Sequence, residues 1–182
     1  MALGALQEGK MGIQVEDSSL AGVMLIKPEV FEDHRGHYVE LMNKADFSGH
    51  FGELDFVQTD ISVSGRHVLR GFHGDKRTYK LVTCLLGRLY VVVVDCREDS
   101  PGFGSWTSFT LSETNRHLVL VPPGHGLAHL TMENKNIFYY LQSTYYDPSS
   151  QFTYKWNDER FKVWWPIDKP VLSRRDDLGH YV

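Results

Sequence analysis

The chain has 182 residues, 42% of them hydrophobic and 23% charged, with a formal net charge of -4. That is enough chain for one domain with a full core, and nine Tyr, ten Phe and four Trp exclude general disorder. The acidic balance gives no basic footprint for nucleic acid, and no apolar run approaches the ~20 residues of a membrane span.

Residues 1–17 read as an N-terminal extension and 18–182 as one domain, since no repeat or low-complexity linker divides them. The start of the chain lacks a basic stretch followed by an apolar one, so the expectation is a soluble, cytoplasmic protein. Short β-type runs then dominate, punctuated by Gly, Pro, Asn, Asp and Ser. They cover residues 22–26, 56–63 (alternating with period two), 68–72, 79–86 and 89–94. Gly87-Arg88, between the last two, reads as a tight hairpin turn. Residues 91–94 are four valines without polar alternation, so that strand should be covered on both faces. Runs at 106–111, 117–121, 127–132 and 136–144 continue the series. Helical signals are weak: 44–50, and short turns near 158–161 and 174–178. Cys84 and Cys96 sit in or beside apolar runs and read as buried thiols rather than a disulfide framework. The sum is an all-β, antiparallel sandwich of jelly-roll type with a few short peripheral helices.

The densest chemistry lies in Val68-Leu69-Arg70-Gly71-Phe72-His73-Gly74-Asp75. A regular strand points Arg70 and His73 to opposite faces, whereas a bulge at Gly71 brings them into one pocket. Two readings stand: a joint anion-binding and proton-transfer site, or an exposed Arg and a His satisfied by a neighbour. A second cluster, Val121-Pro122-Pro123-Gly124-His125-Gly126-Leu127-Ala128-His129, offers two imidazoles. Metal-binding cupins need a His-x-His pair and a later His. His73-Gly74-Asp75 lacks the second His, and Leu127 stands where the later ligand belongs, so no metal site is expected. In Ile137-Phe138-Tyr139-Tyr140-Leu141, followed by Thr144-Tyr145-Tyr146-Asp147-Pro148, adjacent tyrosines of a strand face opposite sides, so one is free to offer a phenol to a pocket; the alternative is that all four only pack. Trp156, Trp164 and Trp165 read as a hydrophobic layer over a short helix. Asp176 reads either as a partner that orients a histidine or as a helix N-terminal carboxylate beside Arg174 and Arg175.

Taken together, the motifs resemble the dTDP-4-dehydrorhamnose 3,5-epimerase family. The shared pattern includes Phe31-Glu32-Asp33-His34-Arg35-Gly36, Phe56-Val57-Gln58, Val68-Leu69-Arg70-Gly71-Phe72-His73 and Lys80-Leu81-Val82. It continues through Val94-Asp95-Cys96-Arg97, Tyr145-Tyr146-Asp147-Pro148, Trp156-Asn157-Asp158 and Leu172-Ser173-Arg174-Arg175-Asp176. The resemblance implies a cupin-like jelly roll, a homodimer, no metal and no cofactor. It implies a nucleotide-diphospho-4-keto-6-deoxysugar substrate whose acidic ring protons are removed and returned from the other face. Carried over by position, His73 matches the base, Asp176 its carboxylate partner, Tyr140 the phenolic acid and Lys80 the cation beside the enolate oxygen. Asp176 is expected to raise the His73 pKa. Arg70 matches a diphosphate contact; Arg35, reaching from the partner subunit, and Gln58 match nucleotide or sugar contacts.

The chain departs from the usual pattern in three places. The stretch from His73 to Lys80 is short and carries Gly74-Asp75, Leu127-Ala128-His129 replaces His-Gly-Phe, and Val91 replaces an inner-strand Asp. These variants look most like the subgroup acting on GDP-4-keto-6-deoxy-heptoses in surface-glycan pathways, with His129 and Asp75 as added substrate contacts. A 3,4-ketoisomerase, a metal-dependent cupin and a non-catalytic sugar-nucleotide binder are the rival readings.

Overall fold

The computed structural model describes residues 12–180. In chain order the strands are β1 (Ile13–Asp17), β2 (Met24–Pro28), β3 (Val30–Asp33), β4 (Gly36–Val39), β5 (Gln58–Ser64), β6 (Leu69–Gly74) and β7 (Lys80–Leu86). They continue with β8 (Arg88–Asp95), β9 (Trp106–Ser112), β10 (Leu118–Val121), β11 (His125–Thr131), β12 (Asn136–Gln142) and β13 (Phe152–Thr153). Helix α1 (Lys44–Phe51) follows β4, and α2 (Arg174–Leu178) follows β13. A six-stranded sheet in the order β1-β2-β10-β7-β12-β5 faces a five-stranded sheet in the order β13-β6-β11-β8-β9, while β3 and β4 form a separate hairpin. All strand pairings within the sheets are antiparallel, which makes the architecture a cupin-like jelly-roll sandwich.

Three apolar layers hold the sheets. Between them lie Val82 and Cys84 of β7, Leu89, Val91 and Val93 of β8, Val119 and Val121 of β10, and Phe138 of β12. On the far side of the five-stranded sheet, Leu69, Phe72, Val92, Val94 and Leu130 pack under Phe161 and Trp165. On the far side of the six-stranded sheet, Ile26, Leu81, Leu118 and Leu120 pack under Phe47 of α1. The four valines of β8 are therefore covered on both faces, as an unbroken apolar run requires. Asn43 caps α1 by accepting from the Ala45 N–H at 3.0 Å.

Three expectations change. Gly87-Arg88 is not a hairpin turn: β7 and β8 lie in different sheets, and Gly87 (φ 81°) turns the corner between them. A Cβ there would meet Asn136 Oδ1 at 2.5 Å, which is why glycine occupies the corner. Residues 13–17, set aside as extension, form β1 and pair with β2; the residues before Gly12 lie outside the described ones. The tryptophans cover a sheet rather than a helix. Trp165 lies against Phe72 and donates its indole N–H to the Trp156 carbonyl at 2.9 Å, while Trp164 is exposed with its edge against Tyr90.

Candidate active site

Gly71 decides the geometry of the site. Across the β6–β11 pairing, Leu127 faces His73 and His129 faces Arg70, so β6 carries one residue more than its partner. The insertion is a β-bulge. Leu69 and Phe72 turn to the outer apolar layer, and Arg70 and His73 both turn inward to the same cavity. Gly71 has φ 122°, and a Cβ there would meet the Leu127 carbonyl oxygen at 2.5 Å and the Ala128 Cα at 2.6 Å. Arg70 and His73 do share one cavity, while Arg70 stays exposed and His73 is held by a neighbour, so each of the two sequence readings is met in part.

The cavity has a volume of about 330 Å3 and opens between the two sheets. Its walls are Gln58, Asp60 and Ser62 of β5, Arg70 and His73 of β6, Lys80 of β7, Leu127 and His129 of β11, and Phe138, Tyr140 and Gln142 of β12. Tyr146, Gln151 and Arg175 close it from the C-terminal segments. His73 and Tyr140 thus come from opposite sheets.

His73 Nε2 lies 2.7 Å from Asp176 Oδ1. Asp176 is buried in the first turn of α2, where Oδ1 also accepts the Gly71 N–H at 3.1 Å and Oδ2 accepts the Ser173 hydroxyl at 2.6 Å. The bulge that aims His73 therefore gives its free N–H to the carboxylate that holds His73. Asp176 is a helix-end carboxylate and a histidine partner at once. Burial works against its ionisation, but the contacts with His73, Ser173 and Gly71 outweigh that and keep its pKa below the usual carboxylate range. With Asp176 ionised, the neutral imidazole carries its proton on Nε2 and presents the Nδ1 lone pair. The expected upward shift at His73 does not occur. Burial is the larger effect, reinforced by Arg175 and Lys80, and it pulls the pKa below 6.5 despite Asp176.

Tyr140 projects into the cavity beside Asp60, its directly opposite neighbour on β5. Burial first, then the charges of Asp60 and Tyr146, push the phenol pKa up against the pull of Arg70, so the phenol is protonated at neutral pH. Asp60 Oδ2 accepts from the Gln58 amide at 2.7 Å and the Gln142 amide at 3.1 Å. Lys80 is 9% exposed, and burial pulls its pKa below the ordinary lysine value. His129 stacks on Phe138 with ring centroids 4.1 Å apart, and burial, with Arg70 and His73, pushes its pKa down to about 3. At neutral pH it is an uncharged hydrogen-bonding group, and its Nε2 is buried with no protein partner among the described residues. Arg70 donates to the Ser64 hydroxyl at 3.3 Å through both Nε and one terminal nitrogen.

Two of the sequence-derived contacts lie elsewhere. Asp75 does not line the cavity: Oδ1 caps the following turn by accepting the Arg77 and Thr78 N–H groups, and Oδ2 accepts the Gln151 amide at 2.9 Å. Its carboxylate is occupied within the fold, so it is not a substrate contact of this cavity. Arg35 sits at the tip of the β3–β4 hairpin, clamped on Asp33, away from the cavity of its own chain. Conversely, Asp60, Ser62, Gln142, Tyr146, Gln151 and Arg175 line the cavity without having been given a site role from the sequence. Period two from Gln58 points to Asp60 and Ser62, and two residues beyond Tyr140 lies Gln142. The other three arrive on loops and on α2, where no periodicity marks them.

His125 is held by structure, its Nδ1–H donating to the carbonyls of Pro122 and Pro123 at 3.2 Å each. Among the described residues no three His, Cys, Asp or Glu side chains gather as a metal site needs. Both cysteines are free and buried, and burial pushes the Cys84 thiol up to about 11 and the Cys96 thiol up to about 12. No helix among the described residues is long and apolar enough to cross a membrane.

A jelly-roll sandwich with a polar, His- and Tyr-lined cavity between its sheets places the chain among the cupin-like enzymes. More particularly, the sequence profile of dTDP-4-dehydrorhamnose 3,5-epimerase matches residues 17–181, and the chain belongs to that family of enzymes acting on nucleotide sugars. It is 36% identical over 164 residues to the dTDP-4-dehydrorhamnose 3,5-epimerase of Salmonella typhimurium, covering 87% of this chain and 90% of that one. Among solved structures, the dTDP-6-deoxy-D-glucose-3,5-epimerase of Legionella pneumophila, in complex with dTDP-4-keto-L-rhamnose, superposes with a TM-score of 0.88 at 29% identity, over 92% of each chain. A 3'-monoepimerase of Streptomyces bikiniensis, in complex with dTDP-quinovose, superposes with a TM-score of 0.86 at 30% identity, over 90% of this chain and 85% of that one.

Proposed function

We propose that the enzyme inverts C3, C5 or both in a nucleotide-diphospho-4-keto-6-deoxysugar, using its own side chains as base and acid. The observation that carries this reading is that His73 and Tyr140 stand on opposite sheets and face one cavity. A sugar ring between them meets an imidazole on one face and a phenol on the other, which is what inversion of a carbon centre needs. The 4-keto group acidifies the hydrogens on the adjacent carbons. His73 Nδ1 removes one, the electrons delocalise onto the carbonyl oxygen, and the Lys80 ammonium stabilises the enolate where charge develops. Tyr140 returns a proton from the other side. Asp176 holds the imidazole and stabilises its cation. The lowered His73 pKa keeps the base neutral at pH 7, and the raised Tyr140 pKa keeps the acid protonated.

Arg70 serves the diphosphate, and Gln58 and His129 serve hydroxyl or carbonyl groups of the sugar nucleotide. Arg35, which its own cavity does not use, completes the site of a partner subunit in a homodimer. The exposed apolar row on β5, Ile61 and Val63, supports such an assembly. Relatives are named for dTDP-linked hexoses. The short segment before Lys80, together with Leu127 and His129 in the wall, favours a GDP-linked 4-keto-6-deoxy-heptose here, in cytoplasmic synthesis of a surface glycan.

The test is incubation with GDP- and dTDP-linked 4-keto-6-deoxysugars in deuterium oxide, followed by NMR. Deuterium next to the keto carbon with inversion supports the reading; migration of the keto group to C3 identifies an isomerase instead. Tyr140→Phe should spare exchange more than inversion, and equal loss of both removes the separate acid.

A further inference from the structure

On the roles given above to His73 and Tyr140, we propose that His129 is a positioning residue whose ring, stacked on Phe138, props Tyr140 at its working distance across the cavity from His73. Three rings run in a row along the cavity wall: His129, Phe138 and Tyr140. The His129 and Phe138 rings are stacked, with centroids 4.1 Å apart and planes 21° from parallel. The Phe138 and Tyr140 rings follow at 5.3 Å and 32°. The row crosses from sheet to sheet. His129 is on β11 of the five-stranded sheet, and Phe138 and Tyr140 are on β12 of the six-stranded one. β11 also pairs with β6, where Leu127 lies opposite His73 and His129 opposite Arg70. The base and the prop thus share one sheet, and the acid stands on the other.

Away from the cavity, aliphatic side chains such as Leu89, Val91 and Leu111 fill the space between the sheets. Beside the cavity the stacked pair bridges that space. His129 lies opposite Val91 of β8, an inter-sheet core residue, so its ring faces the gap, and both His129 and Phe138 are buried. Tyr140 needs the support. Its hydroxyl makes no hydrogen bond to protein among the described residues, so packing of the ring aims the phenol. Its neighbours across the strands are Val82 of β7 and Asp60 of β5, whose Oδ2 is taken by the Gln58 and Gln142 amides. Phe138, two residues back, lies on the same face of β12. His73 is aimed independently, by Asp176 and the Gly71 bulge. A displacement of about 1 Å in a reacting group can cost about 100-fold in rate. Loss of the prop should therefore fall on reprotonation by Tyr140 and spare deprotonation by His73. The stack uses the face of the imidazole, which leaves its edge for the contact with the sugar nucleotide.

The experiment compares the whole protein with His129→Phe, His129→Leu and Phe138→Leu, on the dTDP- or GDP-linked 4-keto-6-deoxysugar that the parent chain exchanges, in deuterium oxide by NMR. The quantity read is the ratio of inverted product to deuterium incorporated next to the keto carbon. Both arise from the same folded molecules, so the ratio does not depend on how much of a variant folds. Phenylalanine keeps the ring and removes the nitrogens, whereas leucine removes both. We expect His129→Phe to keep the ratio within about twofold of the parent, and each leucine variant to lower it about tenfold or more. Should one leucine variant not fold, the other carries the comparison. Equal ratios in His129→Phe and His129→Leu overturn the proposal, because a residue that only binds substrate or only fills the core does not divide the two steps according to the ring. An unchanged ratio in Phe138→Leu overturns it as well, since Phe138 is the link to Tyr140. Tyr140→Phe sets the scale. If it lowers exchange and inversion equally, the separate acid falls and the prop with it; if it splits them while the stack variants do not, only the prop falls.

Discussion

β8 and β5 are strands of similar length with opposite architecture. In β8 residues 91–94 are all apolar and all fully buried, with Val91 and Val93 against the inter-sheet core and Val92 and Val94 under the C-terminal aromatic layer. In β5 the alternation is clean but inverted relative to a core strand. Gln58, Asp60 and Ser62 turn into the cavity, while Ile61 (60% exposed) and Val63 (53%) turn outward. β8 sits inside its sheet, between β11 and β9, and β5 lies at the edge of the other. The sandwich is closed by apolar side chains at one strand and opened by polar ones at the other. Stability and chemistry are therefore assigned to different strands of one fold, and substitutions should separate them.

The largest effect is expected at the cavity. His73→Asn should lower solvent-deuterium exchange next to the keto carbon by about 10²- to 10⁴-fold, the range for a positioned acid–base group. Its melting temperature should stay near that of the parent chain, and full exchange in this variant would take His73 out of the base role. At the closed end the pattern should reverse. Leu89→Ala in β8 empties a fully buried site, and denaturant titration should show a loss of about 2–5 kcal/mol, with exchange per folded molecule almost unchanged. If that variant loses exchange while folded, the two ends are not independent.

The boundary between the regions should respond to pH. His129 packs on the core residue Phe138 and titrates near 3 in the fold, against ~6.5 in an unfolded chain. A depressed histidine pKa means that the unfolded state binds the proton more readily, so stability is complete above about pH 6.5 and falls as pH drops toward 3. His73 and His125 shift in the same direction, both through burial. His129→Phe should remove its share, on the order of a few kcal/mol, flattening the melting temperature between pH 7 and 4. A variant as acid-sensitive as the parent would place the sensitivity elsewhere. The smallest effect on the folded chain belongs to the outer face of β5. Ile61→Ser should change unfolding free energy by no more than about 0.5 kcal/mol, as at other exposed positions. Sedimentation should nonetheless show weaker self-association if that face meets a second copy.

Much of the fold is legible because burial imposes period on sequence. The runs at 22–26, 56–63, 79–86 and 136–144 alternate or cluster as strands must, and each overlaps an observed strand, with ends that differ by at most two residues. The β3–β4 hairpin is missed because its residues are exposed, so nothing forces apolar alternation on it. The Gly87 corner is misread because a glycine between two strands looks the same whether the chain returns to one sheet or crosses to another. In the site, Tyr140 is legible from the opposed faces of two tyrosines, while Tyr146, Gln151 and Arg175 reach the cavity on segments without period.

What the sequence by itself determined was the class of fold and the inventory of chemistry: strands of a sandwich, a glycine able to break the alternation between Arg70 and His73, and phenol, lysine and carboxylate in family order. Only the tertiary structure decided how that inventory is used. It put His73 and Tyr140 on opposing sheets, drove the His73 pKa down where a lone carboxylate would have raised it, and turned Asp75 from the cavity into a turn cap. The reason is physical: local sequence sets the direction of a side chain along its own strand, whereas dielectric, charge and distance are set by neighbours up to about a hundred residues away, as Gly71 and Asp176 are.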